Sequence, residues 1–138
     1  MGTRSLTYIE ESYGENREKK QNILCMYRQY DGYLSGHGAE LAEFLQDFTV
    51  VNGYNSGTPK RAANGMGCLA AQLIAHFKDD IGNIYIHEPN DSDCGEEYTY
   101  TVYEEDGKVR IRAYDVWAKK IIFDGSPKQM IALAEAQV

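Results

Sequence analysis

The chain reads as an α+β protein, a mostly antiparallel sheet of about five to six strands with two to three packed helices. Three observations predict it. Hairpin-like strand pairs stand near both ends, two apolar-striped helical segments follow one another between them, and no regular strand–helix alternation of a parallel design occurs. The element order is β-β-α-α-β-β-β-β-α.

Leu6 to Glu11 and Asn22 to Tyr30 read as the first two strands, joined by the polar stretch 13–20. In the second, Ile23, Cys25 and Tyr27 share one face and Leu24, Met26 and Arg28 the other. Both faces start apolar, which predicts a central strand with Arg28 emerging at its end, beside a loop. The glycine-rich loop 31–38 leads to a helix over Ala39–Phe48, in which Leu41, Phe44, Leu45 and Phe48 keep helical spacing and Glu40, Glu43 and Asp47 face water.

Residues 52–67 are too rich in Gly and Asn for a regular element, and Pro59 interrupts them further. A wider stripe of Met66, Leu69, Ala70, Leu73, Ile74 and Phe77 predicts a more deeply buried helix over Met66–Lys78. Then come a short strand Asn83–His87, with Ile84 and Ile86 on one face, and two runs, Tyr98–Glu104 and Lys108–Tyr114. Asp106 and Gly107 suit a type I′ turn between these runs. Trp117–Phe123 reads as the last strand. Ser126, Pro127 and Gln129 have the spacing of an N-cap, a first-turn proline and a capping box, opening a C-terminal helix.

With 138 residues, no internal repeat and no linker-like stretch, residues 1–138 form one expected domain. The 43% hydrophobic content is enough for a core and argues against disorder. A net charge of −7 argues against nonspecific nucleic-acid binding, which needs clustered Lys and Arg. It leaves room for a local basic pocket, or for an acidic face that meets a basic partner. Three unpatterned cysteines suggest free thiols in a reducing compartment. The first residues lack the apolar run of a secretion signal, and no stretch approaches the roughly 18–20 apolar residues of a membrane span. A cytoplasmic protein without membrane contact is the expectation.

Two regions have the chemistry of a ligand site. In the first, Tyr27, Arg28, Tyr30, Asp31, Tyr33 and His37 crowd a glycine-rich strand-to-helix junction, where aromatic faces and a guanidinium suit stacking and anion contact. The same residues also suit a plain structural turn in which Asp31 caps backbone amides. In the second, Lys60, Arg61, Asn64 and Met66 precede the buried helix, where cations beside free helical amides suit a phosphate or carboxylate. Neither a P-loop nor a dinucleotide fingerprint is present, and a solvated loop is the plain alternative.

The loop 87–97 is acidic. Zinc through His87 and Cys94 would need two further ligands that the spacing does not supply, and the run lacks EF-hand spacing, so no metal or cofactor is expected. A nucleophilic Cys94 with His37 or His76 as base forms no known motif. Tyr98 to Tyr103, facing Arg110 and Arg112, reads as cross-strand packing rather than a base-stacking platform.

Three stretches, Met26–Gly38 (MYRQYDGYLSGHG), Asn64–Lys78 (NGMGCLAAQLIAHFK) and Cys94–Tyr100 (CGEEYTY), resemble together a group of small uncharacterised proteins of bacteria, archaea and phages. The resemblance spans about residues 23–104. It implies a prokaryotic or viral setting and carries no activity with it.

The leading expectation is a non-catalytic binding protein for a small anionic, nucleotide-like ligand. Arg28 and Arg61 would hold the anion, Tyr27, Tyr30 and Tyr33 would pack on a ring, and Asp31 would orient polar hydrogens. The alternatives are an acidic protein–protein inhibitor or nucleic-acid mimic directed at a host protein through Glu40, Glu43, Asp47, Asp91, Asp93 and Glu96, and a hydrolase centred on Cys94 or His37. Eleven tyrosines, a residue favoured at interfaces, are compatible with a homodimer or a higher homo-oligomer.

Overall fold

The computed structural model describes residues 2–137. Eight strands and three α-helices follow in the order β1 (Ser5–Tyr13), β2 (Lys19–Arg28), α1 (Ala39–Leu45), β3 (Thr49–Val51), β4 (Ala62–Asn64), α2 (Gly65–Phe77), β5 (Ile84–His87), β6 (Tyr98–Glu105), β7 (Lys108–Asp115), β8 (Lys120–Gly125) and α3 (Pro127–Ala136). A π-helical turn, Leu34–Gly38, runs directly into α1. The α+β class is as expected.

The sheet is larger and more mixed than expected. Its strands run β4-β3-β7-β6-β1-β2-β5, with β8 pairing the later part of β7. The outer hairpins are antiparallel, but β1 lies parallel to β6, and β3 parallel to β4. The segments between β2 and β6 cross the sheet, so the first and last hairpins meet in the middle with their inner strands aligned. The extra strands β3 and β4 have three residues each, too few to show an alternating period.

Several local expectations hold for local reasons. Asp106 and Gly107 take φ of 52° and 80°, the two left-handed residues of a type I′ turn. At α3, the Ser126 side chain accepts from the Gln129 backbone while the Gln129 side chain accepts from the Ser126 N–H, a complete capping box. Other boundaries move. α1 stops at Leu45 rather than Phe48, because Gln46 is extended and Asp47 turns to φ 63°. β2 stops at Arg28 rather than Tyr30. β8 begins at Lys120, after a turn with Lys119 at φ 55°, so Trp117 lies outside any strand and is 81% exposed.

β2 is the penultimate strand, not a central one, because β5 alone lies outside it. Ile84 on β5 is buried whereas Ile86 is exposed. The helix layer reaches only the Ile84 end of this edge strand, where the α2 C-cap residue Lys78 donates to the Ile84 carbonyl at 3.0 Å.

The three helices cover one face of the sheet. Ile9, Met26, Tyr100, Val102 and Ile111 meet Leu41, Leu45, Leu69, Leu73 and Met130 in a single core, each of these side chains removed from water. Beneath the opposite face the loop 88–97 folds back on the strands. The Tyr8 hydroxyl donates to the Asp91 carbonyl at 2.6 Å and the Glu97 N–H to the Arg4 carbonyl at 2.9 Å. Since neighbouring strand residues point to opposite faces, Thr7 looks into the helix layer and Tyr8 onto this loop. The protein therefore offers two chemically distinct sides. Among the described residues no helix is long and apolar enough to cross a membrane.

Candidate functional site

The end of β2 delivers Arg28 to the helix-covered face, where it is only 6% exposed. A buried guanidinium needs partners for its donors. Its Nε donates to the Tyr30 carbonyl at 2.9 Å, and one terminal nitrogen meets both His37 Nδ1, at 2.9 Å, and the Glu40 carboxylate. Arginine can only donate, so His37 Nδ1 accepts. The neutral ring then carries its hydrogen on Nε2 and donates it to the Thr7 hydroxyl at 2.8 Å. Burial, with the Arg28 charge beside it, pushes the His37 pKa down to about 3.

The backbone of loop 31–38 sets this histidine. Asp31 takes φ 59°, its carbonyl accepts from the His37 N–H at 2.7 Å, and the Gly32 N–H reaches the Thr3 carbonyl at 2.8 Å. The Tyr100 hydroxyl donates to the Gly32 carbonyl at 2.7 Å, and its ring meets His37 edge-on. Gly36 has room for no side chain, since a Cβ there would run into the Asp31 carbonyl.

Arg28 forms part of the wall of an open groove of about 810 Å³. Arg61, distant in sequence, lines the same groove, together with Glu40, Phe44, His76 and Lys78. Arg61 is anchored over the Phe48 ring at 5.1 Å and donates through Nε to the Gln46 carbonyl at 2.9 Å and through a terminal nitrogen to the Phe44 carbonyl, so it also closes the C-terminus of α1. Phe44 and His76 stack at 4.3 Å with an interplanar angle of 17°. Fixed cations and carboxylates are balanced around the groove: Arg28, Arg61 and Lys78 face Glu40, Glu43 and Asp79.

Other residues of the two sequence regions lie elsewhere. Tyr27 points to the opposite face, stacked on His87 at 5.1 Å. Tyr30 and Tyr33 are exposed on the outside of the loop and do not line the groove. The Asp31 side chain lies 3.5 Å from the Tyr33 hydroxyl. Lys60 is exposed and makes no ion pair among the described residues. Asn64 accepts from the Gly53 N–H at 2.7 Å, and Met66 is a core residue, 2% exposed. Lys78 and Asn83, on which the sequence reading places no role, line the groove, and so does His76, weighed there only as a base for Cys94. The local signal for them is that His76 and Lys78 flank the partly buried Phe77 at the end of an apolar helix.

No protein-family model, curated protein or solved structure matches the chain.

Cys94 has neither His37 nor His76 beside it. Its sulfur lies 3.4 Å from His87 Nδ1, below the sheet, and burial with Asp91 nearby pushes the thiol up to about 11. A thiol held protonated at neutral pH is a poor nucleophile. The six acidic residues of the mimic reading do not share a face. Glu40 and Glu43 line the groove and Asp47 pairs with Lys128 at 3.0 Å, whereas Asp91, Asp93 and Glu96 belong to the loop below the sheet. Tyr103 receives the Arg112 guanidinium over its ring at 4.9 Å and bonds Asp124 through its hydroxyl, which is cross-strand packing.

Proposed function

We propose that the protein is a non-catalytic binding protein that takes a small anionic, nucleotide-like ligand in the groove between α1, α2 and the ends of β2 and β5. The observation that supports this reading is the meeting of Arg28 and Arg61 on one groove, with Lys78 beside them and the Phe44–His76 stack as a ring-sized face. Arg28 is the anchor. It is desolvated, pre-oriented by His37 and the Tyr30 carbonyl, and has one exchangeable partner, the half-exposed Glu40 carboxylate. An incoming phosphate or carboxylate replaces Glu40 and keeps the buried charge paired. The Asn83 side-chain oxygen is buried at the same wall with no hydrogen-bond partner among the described residues, an acceptor suited to a ligand N–H or O–H.

Two of the three motif stretches that resemble the prokaryotic and phage group contribute to this groove: Arg28, held by His37, comes from the first, and His76 and Lys78 come from the second. Isothermal calorimetry against linear and cyclic nucleotides, with inorganic phosphate as the minimal anion, tests the reading. Saturable binding, weakened by salt and by Arg28→Lys but strengthened by Glu40→Gln, is expected. Absence of heat from every member of the panel ends it.

A further inference from the structure

Below the sheet, away from the groove, three donor atoms converge. His87 ends β5, and Asp91 and Cys94 follow in the loop that folds back beneath the strands. His87 Nδ1 lies 3.0 Å from Asp91 Oδ2 and 3.4 Å from Cys94 Sγ, and all three atoms fall within 4.8 Å of one another. Both neighbours face the same ring nitrogen. A histidine that relays a proton in nucleophilic catalysis has one partner at each ring nitrogen. Here the lone-pair atoms gather instead around one point, as ligands around an ion do.

The distances agree with that comparison. Zinc bonds of about 2.0–2.1 Å to nitrogen, 2.0–2.2 Å to oxygen and 2.3 Å to sulfur place neighbouring donors of a tetrahedron roughly 3.3–3.6 Å apart. The 3.4 Å edge to Cys94 falls within that range and the 3.0 Å edge to Asp91 lies just below it, so small rotations of Asp91 and Cys94 open the polyhedron to the size of an ion. The histidine is already oriented: its ring stacks on Tyr27 with an interplanar angle of 12°. The loop is held from both ends by the Tyr8 hydroxyl on the Asp91 carbonyl and by the Glu96 carboxylate, which accepts from the Cys94 N–H at 2.7 Å. All three donors lie close together in the chain, on the last residue of β5 and the loop that follows it, so little chain entropy is lost in bringing them together.

We propose that His87, Asp91 and Cys94 form a site for a divalent transition-metal ion of the zinc class, with the fourth position open to solvent. A sulfur and an imidazole nitrogen beside one carboxylate oxygen select zinc or cobalt over calcium or magnesium, which take oxygen donors. The half-exposed histidine and aspartate side chains leave one side of the cluster accessible. As the ion binds, the Cys94 thiol proton leaves to solvent and the thiolate takes the metal.

Cobalt(II) titration of the full chain, stripped with a chelator beforehand, tests this. The expected result is a one-to-one complex with a thiolate-to-cobalt charge-transfer band and the intense visible bands of a tetrahedral ion, displaced by zinc. Cys94→Ser abolishes the charge-transfer band, and His87→Ala weakens affinity by at least the about 10–100-fold that changes around metal ligands alone produce. Cys68→Ser, which removes the exposed thiol on α2, leaves the spectrum unchanged. Circular dichroism of each variant separates a lost ligand from a lost fold, and the wild-type spectrum needs no variant at all. A wild-type titration without the charge-transfer band overturns the proposal, as does a band that survives Cys94→Ser or vanishes in Cys68→Ser.

Discussion

His37 accepts a hydrogen bond from Arg28 at 2.9 Å, so a buried neutral imidazole is the inner partner of a buried cation. The outer partner is Glu40, which water reaches. This asymmetry gives the Arg28 terminal nitrogen one permanent contact and one replaceable one, and links the integrity of the groove to the protonation state of a residue that never meets solvent. The consequences are measurable.

Removing the inner partner exposes its role. His37→Ala strands the Thr7 hydroxyl and leaves the Arg28 nitrogen with Glu40 as its remaining partner, so urea denaturation should show a loss of about 1–3 kcal/mol. An unchanged midpoint would mean that Arg28 re-pairs freely, against the rigid arrangement described.

The acid limb of stability follows from the same residue. The folded protein holds His37 near a pKa of about 3 against 6.5 for an ordinary histidine. The unfolded chain therefore binds a proton between these values that the folded chain refuses. The His37 contribution is intact above pH 6.5 and declines as pH falls toward about 3, with a slope reaching about 1.4 kcal/mol per pH unit. Chemical denaturation across that range should show a shallower decline in His37→Gln than in the wild type.

Two glycines should respond oppositely to alanine. At Gly36 a methyl group meets the Asp31 backbone in the tight turn before α1, and Gly36→Ala should cost about 1–3 kcal/mol. Gly67 lies in α2 with open space around it, and Gly67→Ala should add about 0.5–1 kcal/mol. Thermal melts of the two variants should move in opposite directions.

Thiol reactivity should follow position in the fold. Cys68 is exposed, Cys25 is buried with its thiol pushed up to about 12, and Cys94 is pushed up to about 11. Timed labelling of the metal-free protein at neutral pH should modify Cys68 first, by peptide mapping. Fastest labelling at Cys94 would contradict the environment described for it.

Tyr100 ties the sheet to the loop that carries His37. Tyr100→Phe leaves the Gly32 carbonyl without its donor, and a buried acceptor left unpaired costs about 1–3 kcal/mol. Amide exchange localised to residues 31–38 would show whether the loss falls on that loop.

Legibility in the sequence followed the range of the interactions. The Asp106–Gly107 turn, the Ser126–Gln129 capping box and the stripes of α1 and α2 each depend on residues within one or two turns of each other, and composition reveals them directly. Arg28 at a strand end beside the glycine-rich loop was readable for the same reason, and its place with Arg61 on one ligand site was an inference from chemistry. The sequence by itself determined the α+β class, most elements and the residues rich in chemistry. Only the tertiary structure decided which of them meet. The parallel pairing of β1 with β6, the Thr7–His37 bond across 30 positions and the folding of loop 88–97 under the sheet join segments with no local signal of partnership. The opposite faces of Tyr27 and Arg28 are legible in the sequence, because consecutive side chains of a strand cannot share a side; only the tertiary structure decided that the helices cover the Arg28 face and the loop 88–97 the Tyr27 face.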